Sequence, residues 1–351
     1  MFQRNQELIG IDIGASSVKL VQLREIRSGY QLVNFGMAAL PAETIVDNTI
    51  MDSGAVVSAI RDLVQSRKLK AKNVATSISG HSVIIRKILM PIMTEEELEA
   101  SIQWEAEQYI PFDMSEVNLD FQILGPDGND PAQMNVILVA AKKDFVNDHV
   151  ALIKECGLTP VVMDVDCFAV ANVFEGGYGV PEHDSVALID LGASSLNVNI
   201  LRGGMPVFTR DIQMGGNLYN EELQKRFGLN NEDAEAAKQG AETDGVAPEA
   251  VAGVINETSE VLATDIQRSL DFFCASSSDE RPKQVFVTGG VSKVSAIRTA
   301  LAQRLGASVQ SIDPWRQITS NPKQFAPEYL QAVGPFFTVA AGLAMRRVGD
   351  K

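Results

Sequence analysis

GIDIGASSVKLVQL (residues 10–23) returns about 180 residues later as LIDLGASSLNVNIL (residues 188–201). The shared heart is Asp-x-Gly-Ala-Ser-Ser, at 12–17 and at 190–195. The likeness runs past these letters. VKLVQLREI, a Ser28-Gly29 turn and YQLVNFGMAAL follow the first copy. LNVNIL, a Gly203-Gly204 turn and MPVFTRDIQM follow the second. Both read strand, Gly turn, strand, Gly turn, strand. Alternation at Val18, Leu20 and Gln22, and at Leu196, Val198 and Ile200, supports half-buried strands. An internal repeat on this scale predicts a duplicated α/β architecture, with two matching meanders facing each other across a cleft.

Composition narrows the function. The 351 residues are 45% apolar and 21% charged, which suits a folded chain of two or three domains. The net charge of -15 argues against nucleic acid as a main partner and against unaided docking on anionic lipid. Cys156, Cys167 and Cys274 stand far apart, with no metal or redox spacing, as fits a reducing cytoplasm. His81, His149 and His183 form no zinc-binding pair. MFQRNQELIG enters a strand without an apolar leader segment. The apolar VGPFFTVAAGLAM at 333–345 is too short to span a bilayer and reads as a buried helix.

Between the repeats, residues 54–69 have helical spacing, and NVATSISG and VIIRKILMP read as strands. TEEELEASIQWEAEQYI opens with a capping box, Thr94 and Glu97, and is predicted to run as a helix to Pro111. VNLDFQIL and MNVILVAA are strands, and 143–156 a helix, so 91–157 reads as a compact insertion. Residues 217–280 read as mainly helical. QVFVTGGVSKVSAIRTALAQRLG is a strand, a double-Gly turn and a helix, and YLQAVGPFFTVAAGLAMRR reads as one last helix.

A glycine turn can turn backbone N–H groups toward an anion with no Cβ in the way. Gly14 and Gly192 suit this, with the hydroxyls of Ser16, Ser17, Ser194 and Ser195 as added donors. Asp12 and Asp190 suit Mg²⁺ held through water. Lys19 can reach phosphates as a point charge, and the second copy has Asn197 in its place. One such phrase alone is as well read as a structural turn; two facing copies point to a nucleotide. Gly289-Gly290, ending the strand VFVTGG, is either a plain turn or a place where a ribose or flat ring approaches the backbone. Glu235 and Lys238 are either a solvated pair or a contact to ribose and adenine.

These elements, in this order, resemble the actin, Hsp70 and hexokinase ATPase superfamily. DIGASS and DLGASS match its two phosphate loops, and VTGG its adenosine motif. AEAAK after the glycines Gly215 and Gly216 is similar to the FtsA branch. The narrower resemblance is to the PilM family of type IV pilus assembly proteins, on GIDIGASSVKLVQL, IQWEAEQYIPFD (102–113) and VALIDLGASSLNVNI. It implies a duplicated actin-like ATPase fold of the ribonuclease H-like kind. Its first large subdomain comprises 1–90, 158–185 and 331–351. An FtsA-like insertion covers 91–157, a second large subdomain 186–212 and 281–330, and a small subdomain over the adenine 213–280. It also implies ATP or ADP with Mg²⁺ as ligand and hydrolysis that is slow at most. Asp166, with Asp164 behind it, takes the superfamily's water-orienting position. The family's partner is the cytoplasmic N-terminal tail of the inner-membrane protein PilN, bound between the first subdomain and the insertion. Other platform and motor components are further partners. Trp104, Gln108 and Tyr109 are then either ordinary packing or a wall of that groove. The chain stops at Lys351 without the amphipathic tail of FtsA, so direct membrane insertion is not expected. Two rival readings stay open: a filament-forming ATPase like FtsA or MreB, and a small-molecule kinase of the same superfamily.

Overall fold

The structure, a computed structural model, describes residues 8–128, 130–180, 184–277 and 280–349. The leading MFQRNQE, His183 and Lys351 lie outside the described residues.

The first repeat folds as β1 (Ile9–Gly14), β2 (Ser17–Ile26) and β3 (Gly29–Ala39), an antiparallel meander. A small hairpin of β4 (Ile45–Val46) and β5 (Thr49–Ile50) leads to α1 (Ser53–Ser66) and to β6 (Asn73–Ile78), which lies parallel to β1. Next come β7 (Val83–Pro91), α2 (Glu95–Ala106), β8 (Val117–Pro126), β9 (Gln133–Lys142) and α3 (Lys143–Glu155). β10 (Thr159–Val165) and α4 (Asp166–Tyr178) complete the first half. The second repeat is β11 (Ser185–Leu191), β12 (Leu196–Arg202) and β13 (Met205–Ile212). It is followed by α5 (Asn217–Phe227), α6 (Asn231–Lys238), α7 (Pro248–Ser277), β14 (Gln284–Thr288), α8 (Ser295–Leu305) and β15 (Ser308–Ser311). β16 (Ile318–Thr319), α9 (Pro327–Val333) and α10 (Thr338–Ala344) end the fold.

The duplication is larger than the quoted phrases. One sheet runs β10-β6-β1-β2-β3, with β16 added at its edge; the other runs β15-β14-β11-β12-β13. Each is a meander extended beyond its first strand by two further parallel strands, one after the other. Strand alternation assigns the faces. Ile9 and Ile11 of β1 pack with Val56, Ile60 and Leu63 of α1 and Leu152 and Ile153 of α3. Ile189 and Val287 pack with Leu262 and Ile266 of α7 and Leu301 of α8. The opposite faces meet α4 and α10, so Val21, Phe35, Val170, Phe174, Leu188 and Phe286 share one apolar cluster that joins the lobes.

At that junction the backbones touch. A Cβ on Gly342 of α10 would strike the carbonyl of Ala169, and one on Gly10 would strike the carbonyl of Ala340. The obstacle at Gly342 is main chain, which cannot rotate aside. Gly342→Ala is therefore expected to cost about 3 kcal/mol, the upper end for overpacking, as read by urea unfolding of the variant against the parent chain.

Local departures have simple causes. The helix predicted to reach Pro111 ends at Ala106, and the chain turns on from there, with the Tyr109 and Ile110 N–H groups both donating to the Ala106 carbonyl. The single last helix is broken into α9, a 3-10 turn at Gly334–Phe337, and α10, because Pro335 has no N–H to continue it. α10 is buried throughout, and no helix among the described residues is long and apolar enough to cross a membrane. The inserted three-stranded sheet, β7-β9-β8, begins at Val83, because β7 pairs with β9 along its length. Ile312, Trp315, Phe325 and Leu330 pack with the first sheet's Phe35 in the joining cluster.

Candidate functional site

The two Asp-x-Gly-Ala-Ser-Ser turns face each other across a cleft of about 400 Å³. Neither Gly14 nor Gly192 needs a positive φ. Close approach is the constraint instead, rigid at Gly192, where the obstacle is main chain, and softer at Gly14, where it is the end of a lysine side chain. A Cβ on Gly14 would lie 2.7 Å from Lys19 Nζ, and one on Gly192 would lie 2.6 Å from the Ser195 carbonyl oxygen. Ser16, Ser194 and Ser195 line the cleft; Ser17 is buried at the start of β2. Gly215 stands behind the second turn, where a Cβ would lie 2.6 Å from the carbonyl oxygens of Gly192 and Ala193. Gly216 lines the cleft and donates its N–H to the Gly192 carbonyl at 2.9 Å. The glycine pair thus braces the second turn against the start of α5.

Four recessed carboxylates gather at the cleft: Asp12, Asp166, Asp190 and Asp211. In strand register Asp12 stands opposite Lys19, and their charged groups are 3.2 Å apart. Asp190 stands opposite Asn197, which turns away to donate to Asp211 at 2.9 Å. Asp166 opens α4 and accepts a 2.5 Å hydrogen bond from Ser77. Asp211 also accepts the Gly80 N–H at 3.0 Å, a link from the second lobe to the first. Burial first, then the charges of Asp166 and Asp12, pushes Asp190 up to about 7. Burial likewise raises Asp12 despite Lys19, and raises Asp166 and Asp211 against their hydrogen bonds. Asp164 lies behind, with its carboxylate toward Arg346 Nε at 3.5 Å.

The donors here are all oxygen, and among the described residues no group of three acidic, His or Cys side chains is placed to hold a metal ion by itself, so a cation here would need phosphate and water oxygens as well. Mg²⁺ commonly keeps several waters and takes one or two carboxylates plus phosphates, which is what such a floor offers. Asp12 and Asp190 would hold it, and it would neutralise phosphate charge.

Beside the second turn, Gly289 has φ +80, and a Cβ there would collide with the Asp190 carboxylate and the Leu191 carbonyl. Gly290 leaves room for the Phe336 ring, 2.8 Å from its would-be Cβ, and Lys293 lies 5.1 Å over that ring. Glu235 accepts from Lys238 at 2.5 Å, Gln239 at 2.8 Å and Asn220 at 2.9 Å. Burial works to raise Glu235, but these bonds outweigh it and hold it below its ordinary value. A flat apolar ring, a lysine and an ordered carboxylate make a setting for a base and ribose.

The sequence did not flag Ser77, Asp211, His149, Lys293 or Phe336, all on the cleft wall. They come from five separate segments with no local motif. The serines of TSISG, ending a strand parallel to β1, carried the one readable signal. Trp104, Gln108 and Tyr109 lie elsewhere, on the inserted unit. Trp104 is 80% exposed on α2, Tyr109 is 37% exposed just beyond it, and Gln108 donates to Glu105 at 3.4 Å.

Comparison with known proteins agrees with this architecture. The structure titled PilM-PilN type IV pilus biogenesis complex has 30% identity to this chain, covers 99% of it and 100% of its own chain, and superimposes with a TM-score of 0.87. Ethanolamine utilization protein EutJ from Carboxydothermus hydrogenoformans has 15% identity, with 98% and 90% covered and a TM-score of 0.57. MreB5 of Spiroplasma citri bound to AMPPNP has 12% identity, with 97% and 95% covered and a TM-score of 0.54. The fold is thus the duplicated actin-like one. Cell division protein FtsA of Escherichia coli K12 is 22% identical over 257 residues, or 66% of this chain. The chain matches 59% of the length of that curated relative. The family described as type IV pilus assembly protein PilM matches residues 10–348, nearly the whole length, and the chain belongs to that family.

Proposed function

We propose that the chain is a nucleotide-binding adaptor of the type IV pilus machine. ATP or ADP with Mg²⁺ occupies the interlobe cleft and sets the angle between the lobes. The inserted unit and the first lobe take the cytoplasmic N-terminal tail of a PilN-like membrane protein. That tether would place the chain beneath the inner membrane, near other platform and motor components. The observation that carries the reading is the pair of facing glycine turns over recessed carboxylates, with Lys19 set against them. The partner reading is supported by family membership and by the solved PilM-PilN complex, in which PilN is that relative's partner.

Trp104 separates the partner role from folding. A side chain that is 80% exposed contributes little to stability, and its removal should change unfolding free energy by less than about 0.5 kcal/mol. A large aromatic at an interface commonly contributes about 2 kcal/mol or more to binding. Trp104→Ala should therefore weaken a fluorescent PilN tail peptide by at least about tenfold in anisotropy titrations while ATP binding is kept. Unchanged peptide affinity would remove α2 from the partner surface; no peptide binding by the parent chain would sink the adaptor reading.

A further inference from the structure

His149 plays no part in the reading so far, yet it lines the nucleotide cleft. It sits on α3, one turn after Phe145, and is 6% exposed. Its Nδ1 lies 2.9 Å from the Phe145 carbonyl oxygen. A carbonyl can only accept, so Nδ1 carries the hydrogen, and Nε2 of the neutral ring is left as an acceptor. Burial holds the imidazole below its ordinary range, against the pull of Asp166 and Asp148. Asp166 and His149 thus line the same cleft, one with a carboxylate and the other with an imidazole nitrogen left to accept.

The helix that carries His149 is unusual in what it joins. β9, the central strand of the inserted sheet, ends at Lys142, and α3 starts at Lys143 with no loop between. Phe145 and Val146 pack with Val83 and Val139 of the inserted sheet. Leu152 and Ile153, one to two turns on, are buried in the core under β1. A single rigid element thus touches the inserted unit, the cleft and the first lobe in turn.

We propose that His149 is a positioning residue that reads the terminal phosphate: with Asp166 it holds a water at that end of the cleft, and α3 carries the presence or absence of that water to the inserted unit. A water that donates one hydrogen to Asp166 and the other to Nε2 keeps a lone pair directed away from both, toward a phosphate. Loss of the terminal phosphate removes the reason for this order, and α3 relaxes against β9. The coupling needs no contact between nucleotide and partner, only a shared element with two arrangements. It rests on the nucleotide reading above and adds the route by which the nucleotide state reaches the partner surface.

The test uses the full chain labelled with ¹⁵N at histidine, whose three histidines give a simple spectrum. His149→Gln assigns the His149 signals by their disappearance. The Nε2 signal should move by several ppm when Mg-ADP is replaced by the Mg complex of β,γ-imido ATP. Hydrogen exchange in β8 and β9 should slow about threefold in the imido-ATP state relative to ADP, and this difference should vanish in His149→Gln. An unmoved Nε2 with both nucleotides bound, or a difference that survives in His149→Gln, overturns the inference. If that variant does not fold, His81→Gln and His183→Gln assign the His149 signal by elimination, and the wild-type spectrum still decides. If neither nucleotide binds, the nucleotide reading itself fails, which is a separate result.

Discussion

Lys19→Ala should weaken Mg-ATP binding about 100-fold, the effect of losing about 2.7 kcal/mol from charge-assisted contacts in a recessed site. Lys19 and Asp12 are only 12% and 13% exposed as side chains, and each holds the other in place at 3.2 Å. Removing the cation leaves Asp12, Asp166 and Asp190 facing one another, and each is already pushed toward its protonated form by burial. The empty variant can relieve this by taking up protons, so folding should suffer less than binding does. An incoming triphosphate has no such relief. Calorimetry on the variant and the parent, with thermal melts of both, separates the two effects. Equal affinity in the two proteins would show that the first turn does not meet phosphate.

Withdrawing Mg²⁺ should have an effect of similar size. ATP alone brings negative charge to recessed carboxylates, so chelation should lower its affinity at least about 100-fold. The pH dependence has a definite sign. The Asp190 carboxyl is raised from 3.8 to about 7 in the fold, chiefly by burial and then by Asp166 and Asp12. A raised acid stabilises the fold fully below its unfolded pKa, and that contribution is lost as pH rises through the folded one. The metal-free chain should therefore melt lower at pH 8 than at pH 5 on this account. Mg-ATP should restore more stability at pH 8 than at pH 5, because the cation replaces the lost protons. A Mg-ATP stabilisation that shrinks as pH rises would remove Asp190 from the metal site.

The parts of the fold that could be read in the sequence are those written locally. The repeat shows itself because each copy builds the same antiparallel turn, with Asp12 opposite Lys19 in one and Asp190 opposite Asn197 in the other. The capping box at Thr94 and Glu97 forms as its letters imply, with both reciprocal bonds present. What escaped depends on chain crossings. Asp211 reaches the cleft because β13 pairs with β12 and places it beside Asn197. Ser77 meets Asp166 because β6 and β10 lie parallel, though 89 residues separate the two. His149 looked like one more isolated histidine, and its meaning comes from a helix that follows a strand without a break. The break at Pro335 is legible in principle, since a proline has no N–H to carry the helix on.

The nucleotide is the hinge of the whole reading, and one titration addresses it. Mg-ATP would be added to the parent chain and to Asp190→Ala in a calorimeter, with phosphate release followed in the same samples. The paired turns predict one site per chain, binding that Asp190→Ala weakens by at least about tenfold, and little phosphate released. No heat from the parent chain, or the same affinity in both proteins, would mean that the repeated phrase shapes two sheets and holds no nucleotide.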